Sequence, residues 1–138
     1  MSEVVLLDTG PLVALYDESD PHHRWAREEM ERLPDEVVTC ESVITEACFL
    51  LARGGTDPTR ILRAVSEGTL QPAFELRDEA AALEVLMKRY ADTPMSLADA
   101  CLVRLSEFHR HCRVFTLDRH FEYYRRYGRS VIPLLCPW

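Results

Sequence analysis

Five short apolar runs recur along the chain, at residues 3–7, 37–39, 70–76, 114–116 and 131–135. Each is too short for a helix, and longer stretches with helical punctuation lie between them. This alternation constrains the fold most. Strands separated by helices pair in parallel and are buried on both faces by those helices. The pattern predicts helices over 12–16, 20–33, 42–53, 58–67, 78–90 and 96–109, with one more helix between the fourth and fifth strands. The order is then β-α-α-β-α-α-β-α-α-β-α-β, which implies an α/β fold with a central parallel sheet of about five strands.

Local chemistry sets the expected boundaries. Gly10-Pro11 turns the chain after the first strand. Asp20-Pro21 and Asp57-Pro58 each supply an N-cap followed by proline at the first helical position. Ser42 and Ser96 are expected N-caps. Pro34-Asp35 breaks the second helix, and Gly54-Gly55 and Gly68 end the third and fourth. Pro72 hints at an edge position for the third strand, because proline cannot donate to a ladder. The fifth strand is also expected at an edge.

A length of 138 residues suits one domain with one core, so residues 1–138 are read as a single domain. No apolar stretch approaches the ~20 residues that span a bilayer. The start of the chain lacks the basic and apolar segments of a signal peptide. Both observations predict a cytoplasmic protein without membrane association. The cysteines number five, with no C-x-x-C pair, so neither a disulfide framework nor a zinc site is expected.

Four acids stand where acids are costly: in Val-Val-Leu-Leu-Asp8-Thr-Gly, Val-Ile-Thr-Glu46-Ala-Cys-Phe-Leu-Leu, Ser-Leu-Ala-Asp99-Ala-Cys-Leu-Val and Val-Phe-Thr-Leu-Asp118. A carboxylate is seldom fully buried unless it is paired or binds a metal. The chain has a single lysine, Lys88, so a shared cation is the natural partner. In open α/β sheets, ligands bind beyond the carboxyl ends of the strands, near a switch in strand order. If strands one and four are neighbours, Asp8 and Asp118 meet there. Glu46 and Asp99, early in their helices, could face the same crevice. Oxygen-only donors suit Mg²⁺ or Mn²⁺. Such an ion can activate water and stabilise displacement at phosphorus. Thr9 and Thr116 lie beside the proposed site and could orient a carboxylate or water. Taken singly, Asp118 also reads as a helix cap and Asp99 as a first-turn acid favoured by the helix dipole.

Charge is unevenly distributed. The net charge is −7, yet residues 104–138 carry seven arginines against three acids. Arg119, Arg125 and Arg126 there alternate with Phe121, Tyr123, Tyr124 and Tyr127. Arginines among aromatics can contact phosphates and stack on bases; the plainer reading is a solvated helix face with partly buried tyrosines.

The ordered motifs Leu-Leu-Asp8-Thr-Gly-Pro-Leu-Val-Ala-Leu, Ile-Thr-Glu46-Ala, Pro-Met-Ser-Leu-Ala-Asp99-Ala and Val-Phe-Thr-Leu-Asp118-Arg-His-Phe resemble those of PIN-domain nucleases. Among these, the chain is most similar to the VapC-type toxins of toxin–antitoxin pairs, over nearly its whole length. The resemblance implies a three-layer α/β/α fold. It also implies a Mg²⁺- or Mn²⁺-dependent endoribonuclease, with Asp8, Glu46, Asp99 and Asp118 as the metal-site acids. Products would carry a 5′-phosphate and a 3′-hydroxyl. The implied partners are an RNA substrate, a second copy of the chain in a homodimer, and an antitoxin that sends a basic residue into the acidic groove. Close relatives often carry an acid where Ser96 stands, so four acids rather than five are implied here.

Three other readings compete. One is a PIN-domain RNA-processing nuclease outside a toxin–antitoxin system. A second is a non-catalytic module that uses an acidic groove to bind a basic partner. The third is a phosphatase or phosphoacceptor domain. It fits poorly, since Gly10 stands where a dehalogenase-like phosphatase needs a second Asp and Lys88 lies mid-helix.

Overall fold

The structure is a computed structural model that describes residues 3–34 and 37–138. Along these residues run β1 (Val4–Leu7), α1 (Thr9–Tyr16), α2 (His23–Glu31), β2 (Val37–Thr39), α3 (Glu41–Arg53), α4 (Thr59–Ser66), β3 (Leu70–Pro72), α5 (Leu76–Arg89), α6 (Leu97–Phe108) and β4 (Cys112–Phe115). A 3-10 turn over Arg119–Glu122, then β5 (Arg125–Arg126), β6 (Ser130–Val131) and β7 (Leu134–Leu135) complete the order. Among the described residues, five strands form a sheet in the order β3-β2-β1-β4-β7, with every neighbour parallel. Helices flank it to give the expected three-layer α/β/α architecture. None of the described helices is long and apolar enough to cross a membrane.

The central strand explains the layering. Val5, Leu6 and Leu7 of β1 are each at most 1% exposed. Successive strand side chains point to opposite faces, so both faces of β1 are covered. On β4, Phe115 is fully buried and meets Trp25 of α2 edge-to-face, with ring centroids 5.3 Å apart. β1 and β4 pair from Val4↔Cys112 to Leu7↔Phe115, so the two strands end level. The sheet grows from β1 through β2 in one direction and through β4 in the other. That reversal is the switch point, and residues 8 and 116–118 emerge at it.

Several expected boundaries are corrected. The third strand, predicted over 70–76, ends at Pro72 and does lie at the sheet edge. Beyond it, Phe74 takes a left-handed φ of 46° and α5 begins at Leu76. Asp20 caps the turn before α2 by accepting from His22 N at 2.8 Å, so the helix starts at His23, not at Pro21. Asp57 accepts from Thr59 N at 2.9 Å in the same manner ahead of α4. Cys40, not Ser42, occupies the N-cap of α3. Helix α2 ends at Glu31, and Asp35 of the expected Pro34-Asp35 break lies outside the described residues.

The largest departure follows β4. No α-helix forms there among the described residues. The chain makes the 3-10 turn and then an antiparallel β5–β6 hairpin, whose bend uses left-handed Tyr127 (φ 56°) and Gly128 (φ 77°). The run predicted over 131–135 is therefore divided. Ser130–Val131 pairs with β5, whereas Leu134–Leu135 joins the main sheet beside β4 at its edge. All five cysteines are free.

Candidate active site

Asp8 leaves β1 and becomes the N-cap of α1. Its Oδ1 accepts from Thr9 N at 2.7 Å and its Oδ2 from the Thr116 hydroxyl at 2.7 Å. The carboxyl is 5% exposed. Burial pushes its pKa from 3.8 up to about 7. The hydrogen bonds from Thr116 and Thr9 oppose that rise, while the charges of Asp99 and Asp118 add to it.

Thr116 is fully buried at the end of β4. Its hydroxyl donates to Asp8 and accepts from Asp118 N at 2.9 Å. One oxygen thus ties the two strand ends together. Asp118 caps the 3-10 turn, with Oδ1 accepting from His120 N at 2.9 Å and lying 2.8 Å from His120 Nδ1. It is half-buried.

Asp99 sits one turn into α6 within a capping box. Its backbone N donates to Ser96 Oγ at 3.0 Å, and its Oδ2 accepts from Ser96 N at 3.3 Å. Oδ2 also accepts from the Tyr124 hydroxyl at 3.0 Å. Oδ1 has no hydrogen-bond partner among the described residues. Burial raises the pKa of Asp99, and Asp118 adds to the rise. Burial likewise raises that of the Tyr124 phenol, with the neighbouring Asp99 carboxylate reinforcing it.

Glu46 departs from expectation. Its apolar neighbours suggest burial, but Val43, Ala47 and Leu51 form the inward face of α3, and Glu46 lies off that face and is exposed. Desolvation on its cavity side still raises its pKa, with Asp99 and Asp118 contributing.

The four acids line one cavity of about 380 Å³. Thr9, Gly10, Leu50, Leu117 and Arg119 complete its wall. Gly10 is closely packed: a Cβ there would lie 3.1 Å from Leu117 Cβ, so Leu117 would have to give by a few tenths of an ångström. Thr9 Oγ1 is buried and lacks a partner among the described residues. Such an orphan calls for a ligand or ordered water. No three His, Cys, Asp or Glu side chains among the described residues are drawn into a ready-made metal cage. Mg²⁺ tolerates that arrangement, because it keeps several waters and takes only one or two carboxylates directly. The donor set is all oxygen, the charges of Asp99 and Asp118 raise the pKa of Asp8 and Glu46, and a buried hydroxyl lacks a partner among the described residues. These residues fit a hard divalent cation.

Among the arginines expected near substrate, the structure brings only Arg119 to the cavity. Arg125 donates to the carbonyls of Glu122 and Tyr124 at 2.6 and 3.0 Å. Arg126 donates to those of Ser106 and His109 at 3.1 and 3.4 Å. Arg126 thereby fastens the hairpin to the end of α6, while Arg125 binds the turn that precedes its own strand. Tyr124, grouped with the stacking aromatics in the sequence, is fully buried beneath Asp99. Its contact with Asp99 spans 25 residues of chain and depends on the 3-10 turn, which no local signal in the sequence marks.

The family model described as "PIN domain" matches residues 5–127. Ribonuclease VapC26 of Mycobacterium tuberculosis (strain ATCC 25618 / H37Rv) is 30% identical over 135 residues, covering 94% of this chain and all of the relative. The crystal structure of Mycobacterium tuberculosis VapC20, described as a sarcin-ricin loop cleaving toxin, superposes with a TM-score of 0.76. It covers 94% of this chain and 99% of that one at 19% identity, and so speaks to the fold.

Proposed function

This chain belongs to the PIN-domain family, and from that premise we propose that it is a divalent-metal-dependent endoribonuclease, the toxin of a type II toxin–antitoxin pair. The observation that carries the reading is the convergence of Asp8, Glu46, Asp99 and Asp118 on one cavity at the sheet's switch point. VapC26, similar along its full length, is itself named a ribonuclease.

In this reading Asp8, Asp99, Asp118 and Glu46 hold Mg²⁺ or Mn²⁺. When bound, the ion activates a water and offsets the charge that develops at phosphorus. Thr116 and Thr9 N keep the Asp8 carboxylate aimed, and the Ser96 capping box and Tyr124 do the same for Asp99. Thr9 Oγ1, without a protein partner among the described residues, can accept or donate one hydrogen bond to a water or phosphate oxygen. Cleavage by water leaves a 5′-phosphate and a 3′-hydroxyl. The site works in the cytoplasm, where RNA and the antitoxin are found.

Two partners follow. An antitoxin segment would carry a basic residue into the cavity, and exposed Phe49 with Leu50 at the cavity wall offers apolar seating for it. A second copy of the chain would cover the apolar surface formed by Leu76, Met87 and Leu97; sedimentation should then report a dimer. The direct test is cleavage of structured and single-stranded RNA with Mn²⁺, with EDTA, and by Asp8→Asn. EDTA and the substitution should each abolish cleavage. Undiminished cleavage by folded Asp8→Asn rejects the reading.

A further inference from the structure

The sheet delivers a second residue to the cavity rim. β7 runs parallel to β4, and Thr116 N donates to Leu135 O at 3.0 Å. The chain leaving β7 therefore emerges at the same edge as Asp118 and Arg119. Three residues later the Trp138 ring lies under Arg119, with Cζ 4.6 Å from the ring centroid. Arg119 lines the acidic cavity, and its side chain is 65% exposed. Trp138 is 39% exposed.

A polyanion approaching four carboxylates is repelled, so a substrate strand needs a compensating hold at the rim. Arg119 is the sole cation lining the cavity among the described residues. Three of its neighbours in the basic segment are engaged elsewhere: Arg113 forms a two-point pair with Glu3 at 2.8 and 2.9 Å, and Arg125 and Arg126 bind backbone carbonyls. Arg119 makes only a 3.4 Å contact to Glu122, leaving most of its donors available.

On the ribonuclease reading above, we propose that Arg119 and Trp138 together form the strand-binding contact of this site. The guanidinium takes a backbone phosphate and the indole stacks on a base. Stacking on the indole also fixes the long Arg119 side chain, lowering the entropy lost when a phosphate is bound. Base stacking tolerates any base, so this contact grips a strand without selecting its sequence.

The test is binding of a fluorescein-labelled single-stranded RNA in EDTA, which separates binding from cleavage. Trp138→Ala should weaken binding roughly 5- to 150-fold, the span of a lost base stack, and leave the salt dependence unchanged. Trp138→Phe should recover most of the loss. Arg119→Ala should weaken binding and flatten the slope of log K against log salt by about 0.7, one single-strand phosphate. Mn²⁺ affinity by calorimetry should stay at the wild-type value in both Trp138 variants. Wild-type RNA affinity in Trp138→Ala, or equal losses in Trp138→Phe and Trp138→Ala, overturns the proposal while wild-type cleavage keeps the ribonuclease reading. A wild-type protein that neither binds nor cleaves RNA overturns both.

Discussion

The Thr116 hydroxyl donates to Asp8 Oδ2 at 2.7 Å, joining the ends of β1 and β4 across 108 residues of sequence. The same oxygen accepts from Asp118 N at 2.9 Å. Thr116→Val keeps the shape and removes both bonds. The Asp118 N–H is left unsatisfied, and stability should fall by about 1–3 kcal/mol. Asp8 also loses a donor that lowers its pKa. The acid limb of the kcat/KM profile for RNA cleavage should therefore move to higher pH. Thr116→Ser should restore the wild-type profile, and identical profiles for Val and wild type would count against this role.

Burial of Asp8 makes stability depend on pH in an unusual direction. Its folded pKa of about 7 lies above the ordinary 3.8, so between those values the folded state holds the proton more tightly than the unfolded chain. The resulting stabilisation is complete below pH 3.8 and is lost as pH rises through 7, in total about 4 kcal/mol. Burial raises Asp99 in the same sense. Without metal, Tm should fall between pH 5 and 8. Asp8→Asn, which cannot ionise, should flatten that slope and melt higher than wild type at pH 8 while losing cleavage. Mn²⁺ should restore wild-type Tm at pH 8 and do less at pH 5, because the carboxyl must give up its proton to bind metal.

The sequence made the strand–helix alternation legible, and with it the parallel sheet, because β1 is an apolar run covered on both faces and the pairs Val37-Val38 and Val114-Phe115 mark β2 and β4. Asp8 and Asp118 were locatable for the same reason: each follows such a run directly. The segment after β4 was not legible. Its Arg-Tyr pattern suits a helix face, yet Tyr124 gains more from burial beneath Asp99 than from solvent, and the chain takes a hairpin to place it there. Glu46 was located from its motif on a mistaken premise of burial. Its carboxylate lines the cavity from the exposed side of α3, which buries Val43 and Ala47 instead.

Gly10 is tested through its contact with Leu117. A Cβ would meet Leu117 Cβ at 3.1 Å and Cδ1 at 3.2 Å, and Leu117 separates Thr116 from Asp118. Gly10→Ala should cost about 1–3 kcal/mol as an overpacked contact, read by chemical denaturation. Any relief obtained by moving Leu117 displaces Asp118, so kcat for RNA cleavage should fall more than KM changes. A variant that loses neither stability nor kcat would mean that Leu117 yields without moving its neighbour.

Tyr124 reaches the site through its hydrogen bond to Asp99. Its hydroxyl donates to Asp99 Oδ2 at 3.0 Å and helps keep that carboxyl ionised. Tyr124→Phe removes the donor and preserves the rings packed edge-to-face at 5.2 Å on Tyr90 and 5.1 Å on Phe121. The stability loss should be about 1 kcal/mol, that of one hydrogen bond. The pKa of Asp99 rises further without this bond, so Mn²⁺ affinity measured by calorimetry at pH 6 should drop several-fold and recover toward wild type at pH 8. RNA affinity in EDTA should be unaltered, because Tyr124 is fully buried. A loss of RNA binding without a loss of metal binding would return Tyr124 to the stacking role its sequence neighbours suggest.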